Sequence, residues 1–439
     1  MTKPGLGIVV ITLLNTLSAQ SPADVLEKAR DKILSSVRSL PKYTCLETID
    51  RTYYVPPRVK RDRHIMTETP APAPSCTGTN LGSPSLDAKD RLRMEVATAG
   101  GDEILSWPGA SRFDTRSIDQ IVPFGPMSTG SFGAYLAEIF ANPGAQLKSI
   151  GKKTYGNRDV FEYSYAVPLK ASYFRVKGES GWEVSGFSGS FEINAATAEL
   201  AKLVIVSDPL QSDTGMCYIR TTLDYHVMLI GDGEFLIPRQ SELETFRPDG
   251  RQTDSVTAFS ACHEYTAESS IRFDDQDASA NSVAKAPNLA AALPPGISLA
   301  LALIGSIDTR TAAAGDPVSA KVASAVLVPG TKEILVPAGA LARGRIIQMR
   351  HEYSTSQFLI SILFDTLEIQ GAVSPLSIKV DRELRPESRS PRGFKNRGTE
   401  FSLPPPASTE PGGTFGVPSR TGRAVLPAGF QSKWITSAP

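Results

Sequence analysis

Phe161-Glu162-Tyr163-Ser164-Tyr165-Ala166-Val167 decides the fold class. Phe161, Tyr163, Tyr165 and Val167 fall on one side of an extended chain, and Glu162, Ser164 and Ala166 on the other. One apolar and one polar face describe a half-buried strand in an antiparallel sheet. The pattern recurs in both directions. Upstream, Leu92, Met94 and Val96 alternate with Arg91, Arg93 and Glu95, and Gly100-Gly101 turns the chain into a strand at 103–107. Downstream, strands are expected at 182–184, 190–193 and 200–207. Three longer ones follow at 217–230, 234–246 and 252–269, with turns at Gly231-Asp232-Gly233 and Pro248-Asp249-Gly250.

Two helices interrupt this series. Ser21-Pro22-Ala23-Asp24 reads as a helix start: a capping Ser, a Pro suited to the first turn, and an acid at the positive end. Leu26, Ala29, Ile33 and Val37 then form one apolar stripe, and Pro41 ends the helix. Phe132, Tyr135, Leu136, Ile139 and Phe140 mark a short amphipathic helix, stopped by Asn142-Pro143. The chain is therefore mainly β. Its first domain is α+β, a curved antiparallel half-barrel covering one or two helices, and a small β-barrel-like domain follows.

Composition narrows the function. The chain has 439 residues, with 46 basic and 46 acidic side chains. A zero net charge argues against nucleic acid as the main partner. Lys3, the apolar run from Leu6 to Leu14 and the small residue Ala19 make residues 1–20 a secretory signal pattern, giving a periplasmic or secreted protein. No later segment has the unbroken apolar length of a membrane span. Residues 21–275 form the first domain, with a Pro-rich insertion at 56–90. Residues 276–293 are a linker and 294–384 a small β domain. Residues 385–412 are expected to be a disordered Pro- and Arg-rich loop, and 413–439 to return a strand to the small domain.

In an oxidising compartment Cys45, Cys76, Cys217 and Cys262 suggest two structural disulfides. Three connectivities are open. Cys45–Cys76 with Cys217–Cys262 closes the shortest loops. In a three-strand meander, however, Cys217 and Cys262 stand roughly 9.6 Å apart, beyond disulfide reach unless Cys217 lies in the preceding loop.

Three resemblances follow from particular residues. The helix with Val25-Leu26 and Ile33, the element Gly189-Ser190-Phe191-Glu192-Ile193-Asn194 before a strand at 200–206, and Phe235-Leu236-Ile237-Pro238 before a long strand resemble the LolA/LolB-like lipoprotein carrier superfamily over about 25–275. That resemblance implies an unclosed barrel whose concave face holds an acyl chain. Pro295-Gly296-Ile297, Gly315-Asp316-Pro317-Val318-Ser319-Ala320-Lys321-Val322 and Val336-Pro337-Ala338-Gly339 resemble the C-terminal β domain of TrbI-type conjugation-channel proteins over about 294–382. The block from Asp90 to Asn142 is also similar to a family of exported soil-bacterial proteins of unassigned function.

Catalytic signatures are missing from the sequence. It has no nucleophile elbow, zinc-binding H-E-x-x-H helix, phosphate loop or dinucleotide turn. Asp224 and His226 share a strand face but lack a defined nucleophile, and His263 and Glu264 point to opposite faces. No catalytic residue, metal or cofactor is expected. The leading expectation is a non-catalytic lipid- or lipoprotein-binding module of the cell envelope, with an acyl chain or lipoprotein and envelope proteins as partners. The alternatives are a structural or adaptor protein of a secretion- or conjugation-type assembly and, third, an unrecognised hydrolase. The candidate ligand-binding residues on the concave face are Leu26, Ile33, Phe161, Tyr163, Tyr165 and Leu223. N-terminal sequencing of the exported chain should find a start near Gln20; retained Met1 would contradict the signal-peptide reading.

Overall fold

A computed structural model describes residues 21–56, 76, 83–99, 102–110, 113, 118–122, 125–127, 133–179, 181–264, 292–381, 412–419 and 421–437. The signal pattern, most of the insertion, nearly all of the linker and the loop at 385–411 lie outside the described residues.

Helix α1 (Pro22–Ser39) begins where the sequence places it. The Ser21 hydroxyl accepts the Asp24 N–H at 3.2 Å, and the Asp24 carboxylate accepts the Ser21 N–H at 3.4 Å. This reciprocal pair satisfies two of the backbone donors that a helix start leaves open. Its buried ridge is Val25, Ala29 and Ile33, each four residues apart. The stripe is therefore led by Val25; Leu26 and Val37 flank it half-buried. Two short helices follow, α2 (Ile118–Ile121) and α3 (Ala134–Phe140), and α3 packs on α1.

The first unit is one antiparallel sheet. Its strands are β1 (Tyr43–Val55), β2 (Ser85–Ala99), β3 (Asp102–Ser106), β4 (Gln146–Tyr155) and β5 (Arg158–Val167). A separate hairpin, β6 (Arg175–Gly178) with β7 (Gly181–Val184), comes next. Then come β8 (Phe187–Asn194), β9 (Leu200–Ser207), β10 (Tyr218–Ile230), β11 (Gly233–Phe246) and β12 (Gln252–Glu264). In space the order is β4, β5, β8, β9, β10, β11, β12, β1, β2, β3. β2 starts at Ser85, so the insertion ends earlier than the sequence suggests.

α1 and α3 lie on the β5–β8–β9 part of the sheet. Phe191 is the centre of that contact, with ring centroids 5.0 Å from Phe140 and 5.1 Å from Tyr163. A second cluster forms where β1, β2 and β12 meet, around Tyr43, Ile49, Met94 and Phe259, and is capped by Ile121 and Val122 after α2.

The second unit holds β13 (Ser298–Leu303), β14 (Ile307–Asp308), β15 (Pro317–Val322), β16 (Val326–Leu327), β17 (Ile334–Val336), β18 (Leu341–Glu352) and β19 (Gln357–Ile369). β20 (Ala372–Pro375), β21 (Ile378–Val380), β22 (Gly413–Pro418), β23 (Val425–Leu426) and β24 (Gln431–Thr436) complete it. β19 pairs with β18, β20 and β22. β13 pairs with β15 and β24, and β24 pairs with β21. The barrel-like core gathers on Trp434, Phe364 and Phe415, so residues beyond position 411 supply part of its centre.

The two units are joined through β2. While its far end pairs with β3, its near end pairs with β18, through Asp90–Arg350, Lys89–His351 and Ala88–Glu352. Ala314 bridges the same strand: the Arg93 N–H donates to its carbonyl at 2.7 Å, and its own N–H donates to Arg91 O at 2.9 Å. Arg93 also reaches Asp316 at 2.5 Å. Gly315, at φ +105° and pressed against the Arg93 carbonyl, has no room for a side chain.

The disulfides are Cys45–Cys262 and Cys76–Cys217, not the shortest-loop pairing. β1 sits between β2 and β12, which brings Cys45 within 4.1 Å (Cα–Cα) of Cys262. Cys217 lies just before β10 and is free to meet Cys76. Peptide mapping under non-reducing conditions should recover these two pairs. Replacing Cys45 and Cys262 together by Ser should cost about 2–5 kcal/mol in urea unfolding. Phe191→Ala should cost about 3–5 kcal/mol.

Candidate functional site

The concave face changes character along the sheet. Over β5, β8 and β9 it is apolar and filled. Ile33, Phe161, Tyr163, Tyr165 and Leu223 are all buried in the cluster under α1 and α3, with Leu26 at its edge. Tyr163 donates its hydroxyl to Pro22 O at 2.6 Å, and Tyr165 donates to Val204 O at 2.8 Å. Burial raises the Tyr163 phenol to about 12 and pushes Tyr165 well above its ordinary value. The six residues chosen from the sequence thus fall in one cluster, where Leu26 and Ile33 of α1 pack with Phe161, Tyr163, Tyr165 and Leu223 of the sheet.

The open space lies beside them. A cavity of about 290 Å³ is walled on the sheet side by Ile219, Thr221, Leu243 and Thr245 of β10 and β11. Opposite stand Ile118 and Val122 around α2 and the stretch Gly125-Pro126-Met127. Tyr135, Phe174, Val176 and Met216 close one side, and Arg175, Lys177 and Trp182 of the β6–β7 hairpin complete the lining. This volume sits at the lower end of ligand pockets, which span about 300–1,000 Å³. A second cavity of about 280 Å³ runs along α1 between Lys32, Ser36, Leu200 and Leu236; Ile33 lines it.

The hairpin is placed by local chemistry. Val176 and Phe174 point inward and are buried; the Phe174 ring meets Phe187 and Tyr135 at tilted angles, with centroids 5.1 and 5.7 Å away. Arg175 and Lys177 alternate outward, opposite Val184 and Trp182. At the tip, the Glu179 N–H donates to Thr214 O at 3.0 Å and its carboxylate pairs with Arg247. Sequence reasoning missed this cover. The signal was present in Phe174 and Val176 alternating with Arg175 and Lys177.

Past the cavity the concave face becomes polar. Arg51 grips Asp90 through two bonds, of 2.7 and 2.8 Å, and Tyr53 donates to the same carboxylate at 3.0 Å. The Arg350 guanidinium stands 4.9 Å from the Tyr53 ring, and Gly125, at φ +78°, lets the 125–127 stretch close over Arg51 and Tyr53. Ser255 and Thr257 are fully buried next in the row, their hydroxyls without a hydrogen-bond partner among the described residues. Glu47 is buried between Met94 and Phe259. Burial first, and the charge of Glu103 second, hold its carboxyl well above the usual range.

The Thr44 hydroxyl and His263 Nε2 share a hydrogen bond at 3.0 Å, and His351 stacks on Phe358 and meets Tyr353 at a tilt. Among the described residues no group of three or more His, Cys, Asp or Glu side chains is placed to hold a metal, and no helix is long and apolar enough to cross a membrane.

No protein-family model matches the chain, nor does any curated protein. Solved structures similar to it include a LolA superfamily protein from Nitrosomonas europaea, at 11% identity and a TM-score of 0.26, covering 57% of this chain and 96% of that one. A DUF1329 family protein from Desulfovibrio piger shows 10% identity and a TM-score of 0.26, covering 57% and 97%. An outer membrane lipoprotein-sorting protein domain from Vibrio parahaemolyticus shows 10% identity and a TM-score of 0.22, covering 54% and 92%. These are weak likenesses and transfer no ligand or residue role.

Glu47 gives the site a pH signature. Its raised folded-state value means that its contribution to stability is full below the usual carboxyl value of 4.5 and is lost as the pH rises toward that raised value. Glu47→Gln should flatten that decline, read as melting temperature between acid and neutral pH. An unchanged slope would show that Glu47 does not titrate there.

Proposed function

We propose that the protein is an exported, non-catalytic carrier-like module of the cell envelope that holds a lipid-like chain against the concave face of its first unit. The observation that carries this reading is the cavity between the β10–β11 wall and the β6–β7 hairpin, apolar at Val176, Ile219 and Leu243. Such a lining, with a few polar groups at one side, suits an aliphatic chain whose polar end stays near the hairpin. The signal pattern and the two disulfides favour an oxidising compartment outside the cytoplasm. A free acyl chain or the lipid of a lipoprotein has the required chemistry.

Displacement of a fluorescent fatty acid tests the reading. Saturable binding at tens of micromolar or tighter is expected, on the order of the weaker ligand affinities proteins show. Leu243→Trp should fill the cavity and abolish it while costing about 1–3 kcal/mol of stability through overpacking. Absence of saturable binding in the wild-type protein would remove the carrier reading and leave an adaptor role in an envelope assembly.

A further inference from the structure

We infer that the outward face of the β6–β7 hairpin, with the short 3-10 turn Leu169–Ala171 beside it, docks on an anionic lipid membrane surface. Alternation puts Tyr173, Arg175 and Lys177 on one side of the first arm, and the antiparallel register sets Val184 opposite Arg175 and Trp182 opposite Lys177. The large apolar side chains here are left in water: Tyr173 is 80% exposed, Leu169 58%, Trp182 57% and Val184 43%. Four such residues within one short stretch form a patch, unlike the scattered exposed apolar residues expected on any surface.

The charged side chains around the Trp182 ring are cationic. Arg175 and Lys177 both lie 5.8 Å from the Trp182 ring, and Lys170 is exposed next to Leu169. Acids stand close by as well, and one of them, Asp208, lies against Gly186 beside Leu169. Glu179 pairs with Arg247 at the tip, and the Glu138 carboxylate accepts the Tyr173 N–H at 3.3 Å. Glu183 falls on the other side of its arm by alternation. An aromatic pair, two aliphatic residues and three cations suit the boundary between headgroups and acyl chains. Rings settle at that depth while Lys and Arg reach the phosphates.

The hairpin is also suitably built. Its strands pair only with each other, and it covers the cavity with Tyr173, Trp182 and Val184 turned to solvent, so the face meets a surface without displacing a strand. Val176 lines the cavity from the hairpin's inner face, and Arg175, Lys177 and Trp182 line it as well, so docking brings a bilayer to the cavity's edge. The inference rests on the exposed face and stands whether or not the cavity holds a chain.

Co-sedimentation of the full chain with vesicles tests it. Binding to phosphatidylglycerol-containing vesicles is expected to exceed binding to pure phosphatidylcholine by about tenfold or more, and to fall steeply in about 0.5 M salt. Lys170→Glu with Arg175→Glu should remove the preference for the anionic lipid. Tyr173→Ser with Val184→Glu alters only residues outside the cavity lining. It should lose vesicle binding while keeping fatty-acid displacement, and that retained displacement shows the variant is folded. Equal binding to both vesicle types, no binding to either, or variants that bind like wild type would each overturn the inference. Failed displacement with intact vesicle binding would instead strike the carrier reading alone.

Discussion

Strand β2 pairs along one edge with β1 and divides its other edge between two partners, β3 at one end and β18 at the other. Everything else is arranged around that division. A strand edge left open is a row of unpaired donors and acceptors that invites foreign strands. Here the vacant half of the edge is filled by the second unit, and Ala314 and Gly315 fold into the gap where the partner changes. The contact is backbone to backbone, reinforced by Arg93–Asp316 and by Arg91 donating to Arg310 O at 2.6 Å. The units therefore have separate cores but a shared sheet, and a shift of one relative to the other must break ladder hydrogen bonds.

The same geometry explains why the concave face has two halves. Where α1 and α3 lie on the sheet, aromatic side chains fill the volume. Where the helices stop, the cover passes to short pieces: the hairpin, α2 and the 125–127 stretch. Short covers pack less completely than a five-turn helix, and the remaining space is the cavity. Beyond it, the pairing of Arg51 with Asp90 stabilises buried charge by a fork-shaped contact, whereas Glu47 has burial without such a partner among the described residues and becomes protonated more readily.

Much of this architecture was legible in the residues. Alternation placed β5, β10 and β11 because each has one wet face, and the Ser21–Asp24 pair marked the helix start through a local hydrogen-bond pattern. The helix ridge was read one residue late, since Leu26 and Val25 are adjacent and only tertiary packing selects between them. The β2–β18 join was not legible, because pairing between distant strands depends on backbone groups that every residue shares. The cavity escaped for a related reason. The apolar alternation of Phe161, Tyr163 and Tyr165 marks a buried face, but whether a buried face meets a helix or a void is set by elements far along the chain. Cysteine pairing failed as a shortest-loop argument because β1 lies beside β12, a neighbour relation that spans 217 residues.

The two disulfides are nested: Cys76–Cys217 lies wholly inside the loop closed by Cys45–Cys262. A polypeptide that emerges from its N-terminus presents Cys45 and Cys76 first, and those two are not native partners. The inner bridge can close once β9 has appeared, but the outer one must wait for β12, the last strand of the unit. Vectorial emergence thus runs against the wiring of the molecule. A compartment that only oxidises neighbouring thiols would trap the chain with its first two cysteines joined, whereas one that also reshuffles them lets the finished sheet select its own bonds.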